Sequence, residues 1–145
     1  MLIFGHKLIE KPEFCWLTKA EFKQNAVNCF IYDESLIQKA QKAGVKFGIL
    51  AQNGDEILLA NALSAKFILI DGADFLNLAN QNTKNQALKN AKISAKKLAK
   101  QASKMAEFYL FDSKILLITN SLEKLEKAYK MGVDGVILKE LLQKI

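Results

Sequence analysis

The chain has 145 residues, half of them hydrophobic and a quarter charged, which fits one folded domain spanning 1–145 and excludes a disordered tail. No apolar run reaches the ~18 to 20 residues needed to cross a bilayer. The net charge of +6 rests on 21 lysines and no arginine, which weighs against bidentate reading of phosphate or guanine but leaves looser attraction to a polyanion.

The opening stretch MLIFGHKLIEKPEF meets a charge and a proline before any long apolar segment. It reads poorly as a secretion signal, so a cytoplasmic location is expected. The first 26 residues are rich in aromatics (Phe4, Phe14, Trp16, Phe22) and hold the one proline, Pro12. Leu2 to Phe4 and Phe14 to Leu17 are extra strands in this reading, either a hairpin or an addition to a sheet edge. Cys15 and Cys29, the two cysteines, sit among large apolar residues. They make neither a disulfide framework nor a four-ligand zinc site and are expected to be buried thiols.

From residue 27 onward, strand-like and helix-like segments alternate. The run Asn28 to Tyr32 stops at Asp33. Glu34 to Ala43 is then a helix, capped by Asp33 or Ser35 and ended by Gly44. Val45 to Leu50 is a strand, and Asn53-Gly54-Asp55-Glu56 opens a helix through ILLANALSA, its acids favouring the positive first turn. Phe67 to Ile70 is a strand ending at Asp71-Gly72. A short helix is expected near Ala73 to Ala79 and a long one from about Lys84 to Glu107. Lys114 to Ile118 is a strand, Ser121 and Glu123 open a helix ended by Gly132, Gly135 to Leu138 is a strand, and Glu140 to Ile145 makes a terminal helical turn or two.

Continuous apolar strands rather than alternating ones indicate a sheet covered on both faces. The expected fold is α/β: a mainly parallel, five-stranded, three-layer sheet of flavodoxin/Rossmann-like kind, with an N-terminal strand or hairpin extension and a long inserted helix.

That long helix is the most legible element. Thr83 can cap it, with Gln86 closing a capping box. Leu88, Ala91, Ala95, Leu98, Ala102 and Met105 recur at three- and four-residue spacing and give one apolar stripe. At 100° per residue, Lys89, Lys92, Lys96, Lys97, Lys100 and Lys104 fall on the opposite side. The segment from Lys84 to Lys104 holds seven lysines and no acid, so the whole excess of charge belongs to it.

Parallel sheets bind ligands beyond the carboxyl ends of their strands. The residues delivered there are Asp33, Gln52, Asn53, Asp71, Asp74, Thr119, Asn120 and Lys139. Asp33 and Asp71 would suit Mg²⁺, a hard ion that prefers oxygen ligands. Asn53, Thr119, Asn120 and Lys139 would then meet a phosphorylated group. The same residue types also end strands and cap helices for structural reasons alone.

On these residues the chain partly resembles a response-regulator receiver domain. IYD ends at Asp33, followed by Glu34; ILID ends at Asp71; LLIT ends at Thr119; and GVILK ends at Lys139. The resemblance implies an acidic ion site, a phosphorylated Asp71 and assisting Thr119 and Lys139. The chain departs from that pattern in having no proline after Lys139, a long excursion after Asp71 and a 26-residue N-terminal segment. The phrases AYKMGVDGVIL and ILLANALSAKFILI are also similar to the repeated βα units of barrel enzymes, although the chain is shorter than eight such units.

No G-x-G-x-x-G or G-x-x-x-x-G-K-[ST] occurs. His6 is the one histidine and there is no G-x-S-x-G elbow, which sets aside His-rich metal sites and a Ser-His-Asp triad. The leading expectation is a non-enzymatic interaction module whose lysine face meets an acidic protein surface or a nucleic-acid backbone, with no cofactor. The alternatives are a Mg²⁺-dependent site for a small phosphorylated group and a structural subunit of a homo-oligomer.

Overall fold

A computed structural model of the protein describes residues 1–17, 21–76 and 85–142, with side chains in the long helix from residue 95 onward. Among these residues lie seven strands: β1 (Leu2–Phe4), β2 (Glu13–Trp16), β3 (Ala26–Ile31), β4 (Lys46–Leu50), β5 (Phe67–Asp71), β6 (Lys114–Thr119) and β7 (Gly135–Leu138). Four α-helices accompany them: α1 (Glu34–Ala43), α2 (Gly54–Ala62), α3 (Asn85–Tyr109) and α4 (Leu125–Met131). A 3-10 turn, Lys139–Leu142, follows β7. No helix among the described residues is long and apolar enough to cross a membrane.

Local chemistry accounts for the helix ends. The Asp33 side chain accepts from the Leu36 amide at 3.1 Å, and Gly44 closes α1 at φ 67°, in the left-handed region. Asn53 accepts from the Glu56 amide at 2.9 Å, and Glu56 accepts in turn from the Gln52 amide at 2.9 Å. Helix α4 starts at Leu125, later than the expected Ser121 or Glu123. The delay follows from a tight turn in which the Thr119 hydroxyl donates to the Ser121 carbonyl at 2.8 Å. Of the short helix expected near Ala73 to Ala79, residues 73–75 form a bend and turn and Leu76 is 3-10 helical, and the rest lies outside the described residues, as do Thr83 and residues 143–145.

Every strand pairing is parallel, in the order β1-β7-β6-β5-β4-β3-β2. The expectation of five strands is corrected to seven, because both N-terminal segments join the sheet. They are not a hairpin: β1 pairs with β7 and β2 with β3, so the two occupy opposite edges. In a flat sheet those edges would stand about 29 Å apart, six strand spacings. Yet the rings of Phe4 and Phe14 lie 5.2 Å apart, and both touch the ring of Phe67 in β5 at 5.7 Å. The sheet is curled, and its inner face meets itself.

The strand order explains the curl. From β3 to β7 every crossover steps to the next strand in the same direction, and right-handed crossovers then put every helix on one side. Ile37 of α1, Ile57 of α2, Ala99 of α3 and Ala128 of α4 accordingly share one core with Phe30, Ile49, Ile68 and Ile115 of the sheet. A second core on the inner face joins Val27, Cys29, Leu50, Leu69, Leu116 and Ile137 to the three phenylalanines. The strands are apolar on both sides because helices cover one face and opposing strands cover the other. Where a three-layer arrangement was expected, the second face is thus lined by the sheet's own far wall.

Two residues fit the edges to this plan. A Cβ on Gly135 would run into the Leu2 carbonyl and lie 2.6 Å from its Cβ, so glycine lets β1 seat against β7. Asn28 is completely buried beneath the β2–β3 connection. Its amide donates to the carbonyls of Lys23, Ala26 and Lys46, and its oxygen accepts from the Lys23 amide at 2.8 Å. That leaves no orphaned polar atom on the side chain.

Candidate functional site

The parallel sheet delivers the expected polar residues to a common rim. Ile31 pairs with Leu50, Ile49 with Ile68, Leu69 with Leu116 and Ile118 with Ile137, so the central strands end side by side. At that rim four of the side chains, those of Asp33, Asn53, Asp71 and Thr119, bond to backbone. Asp33 and Asn53 cap α1 and α2. Asp71 accepts from the Ala73, Phe75 and Leu76 amides at 3.2, 2.8 and 3.1 Å. Thr119 is engaged with Ser121, while Asn120 is exposed and Lys139 half-buried at the start of the 3-10 turn. Among the described residues, no group of three or more His, Cys, Asp or Glu side chains comes together to hold a metal.

Apolar side chains gather at the same end. The ring of Trp16, at the end of β2, meets Phe75 edge to face at 4.8 Å. Leu141 and Leu142 of the 3-10 turn are buried in the inner core, and the turn packs against β2. This end of the curled sheet is filled with hydrocarbon over the aromatic trio below it.

Neither cysteine is poised for chemistry. Cys15 faces Asn28, donating to its side-chain oxygen at 3.2 Å, whereas Cys29 points into the inner core. Burial pushes both thiols above their usual range, Cys29 far above it, so neither supplies a thiolate near neutral pH.

The lysine face has a different character. Lys96, Lys97, Lys100 and Lys104 are exposed on α3, opposite Ala95, Ala99 and Ala102, which are buried against the sheet. Lys89 and Lys92 belong to the same helix, but their side chains lie outside those described. Helix α4 runs beside α3, so close that a Cβ on Gly132 would sit 3.1 Å from that of Ser103. A cavity of about 640 Å³ opens between the two helices, lined by Lys96, Lys100, Lys127, Lys130 and Met131. It shares Lys100, Lys130 and Met131 with a second hollow of about 600 Å³, whose lining adds Lys104, Lys114, Glu107 and Asp134. This second hollow lies where β6 and β7 begin, away from the rim. Asp134 accepts there from the Ile115 amide at 2.7 Å.

Sequence reasoning missed Lys114, Lys127 and Lys130. The i, i+3 pair in α4 was visible as a pattern, but nothing local says which helix stands next to α3. No protein-family model matches the chain, and no curated protein matches it significantly.

Proposed function

We propose that this protein is a non-enzymatic, cytoplasmic interaction module that offers the groove between α3 and α4 to a negatively charged macromolecule. The observation that carries this reading is the lining of the groove: four lysines from two helices and not one acid. Such a concave arrangement focuses positive potential more than a convex ridge does. We also read the curled, sequentially ordered sheet as a small βα-barrel-like body in preference to the flavodoxin/Rossmann-like kind. Doubly wound sheets reverse their strand order at a switch point, and β2 to β7 run without reversal.

The test is binding of a polyanion followed against salt. Replacing Lys96, Lys100 and Lys130 together by glutamine should weaken binding at least tenfold. It should also lower the log–log salt slope by about 2 to 3, since each neutralised phosphate contributes roughly 0.7 to 0.9. The melting temperature should be unchanged, because all three side chains are exposed. Unaltered affinity and slope would remove the reading.

The Mg²⁺ alternative at Asp33, Asp71 and Lys139 has less support, since both carboxylates already hold backbone amides. Millimolar Mg²⁺ should shift the melting temperature of the wild type no more than that of Asp71→Asn. A shift confined to the wild type would favour the alternative, because a ligand of the folded state raises apparent stability.

A further inference from the structure

Exposed aromatic rings follow the last lysine of the α3 face, and the two features together narrow the partner. Phe108 follows Lys104 by four residues, so the two are neighbours on the surface of α3. Its ring is 79 % exposed, whereas Phe4, Phe14, Phe30, Phe47, Phe67 and Phe75 are all buried. Tyr109, 60 % exposed, stands edge to face with it at 4.9 Å. These two rings stand open one turn beyond Lys104, the last of the exposed lysines on α3.

Resting on the function proposed above, we infer that the partner is a single-stranded nucleic acid, its phosphates running along the lysines of α3 and the α3–α4 groove and its bases stacking on Phe108 and Tyr109. Phosphates need only positive charge, which mobile lysines supply without sequence preference. Bases offer a flat π-face, and base–aromatic stacking tolerates any sequence. An acidic polypeptide would use the lysines and leave the rings idle. A duplex hides its base faces within its own stack, and its sequence is read through groove edges best served by arginine, which this chain lacks. The combination of lysines and open rings is the one that binds unpaired strands.

The experiment measures fluorescence anisotropy of the intact protein with three labelled probes. They are an oligothymidylate of about twelve nucleotides, within the span one small domain covers, a duplex of equal length, and poly-glutamate of similar charge. The single strand should bind at least tenfold more tightly than either competitor. Phe108→Ala with Tyr109→Ala should weaken single-strand binding tenfold or more and leave poly-glutamate binding unchanged. Phe108→Trp with Tyr109 intact should restore at least wild-type affinity, which a merely structural role would not produce. Circular dichroism of each variant should match the wild type.

Equal binding of all three probes, or indifference of the single strand to the aromatic pair, would overturn the single-strand inference while the broader electrostatic reading stands. Preference for poly-glutamate would assign the groove to an acidic protein and likewise overturn it. Failure of the lysine triple variant to weaken any probe would remove both.

Discussion

Cys29 shows how one side chain couples the inner core to pH. Its thiol is fully enclosed among strand side chains, and burial pushes it far above its ordinary value of 9.0. Above pH 9 the unfolded chain releases this proton and the folded chain keeps it, so stability falls as pH rises. One such proton gives a slope of about 1.4 kcal/mol per pH unit. Below pH 9 both states hold the proton and the contribution is flat. Urea titrations between pH 8 and pH 10.5 should show a shallower alkaline decline for Cys29→Ala than for wild type, although the variant is less stable throughout. Parallel declines would place the thiol in contact with solvent. The sequence announced a buried thiol from its apolar neighbours but not which face it occupies. Asp71 is the opposite case. Its type and position suggested an ion ligand, and its two oxygens accept from three amides of the following turn.

Helix α1 and the start of α2 were legible to the residue, because caps and acids in the first turn act over three or four positions, whereas α2 ends at Ala62, short of the expected ILLANALSA. The face of α3 was legible too, since helical periodicity alone separates Ala95 and Ala102 from the lysines. The edge strands were read at Leu2 to Phe4 and Phe14 to Leu17, within a residue of where they lie, but their pairing was not. β1 and β2 are three and four residues long, too short for any periodic signal. What fixes β1 is contact with a partner remote in sequence, through the bare backbone of Gly135. Gly135→Ala should therefore push β1 away and destabilise the protein by about 1 to 3 kcal/mol, the usual range for overpacking. The measurement is chemical denaturation, and a loss below about 0.5 kcal/mol would show that β1 adds little to the sheet.

The curl of the sheet makes a prediction that no flat arrangement shares. Phe4 and Phe14 stand on strands at opposite ends of the sheet order, yet their rings are in contact. A double-mutant cycle on Phe4→Ala and Phe14→Ala should give a coupling of about 0.5 to 1.5 kcal/mol. Residues six strands apart in a flat sheet would be additive within a few tenths. Curling also separates two ends with different characters: the rim where the strands finish is filled with apolar side chains, and the hollow flanked by lysines lies at the other end and on the helical side.

The sequence by itself determined where most central elements begin and end, that the strands are buried on both faces, and that the surplus charge belongs to one helix. These follow from interactions that reach only a turn or two along the chain. Tertiary structure alone decided the order of the strands, and with it the single-sided helices, the closing of the inner face on itself and the pairing of α3 with α4. An apolar strand requires both of its faces to be covered without specifying what covers them, and a row of lysines does not name the helix that turns it into a groove.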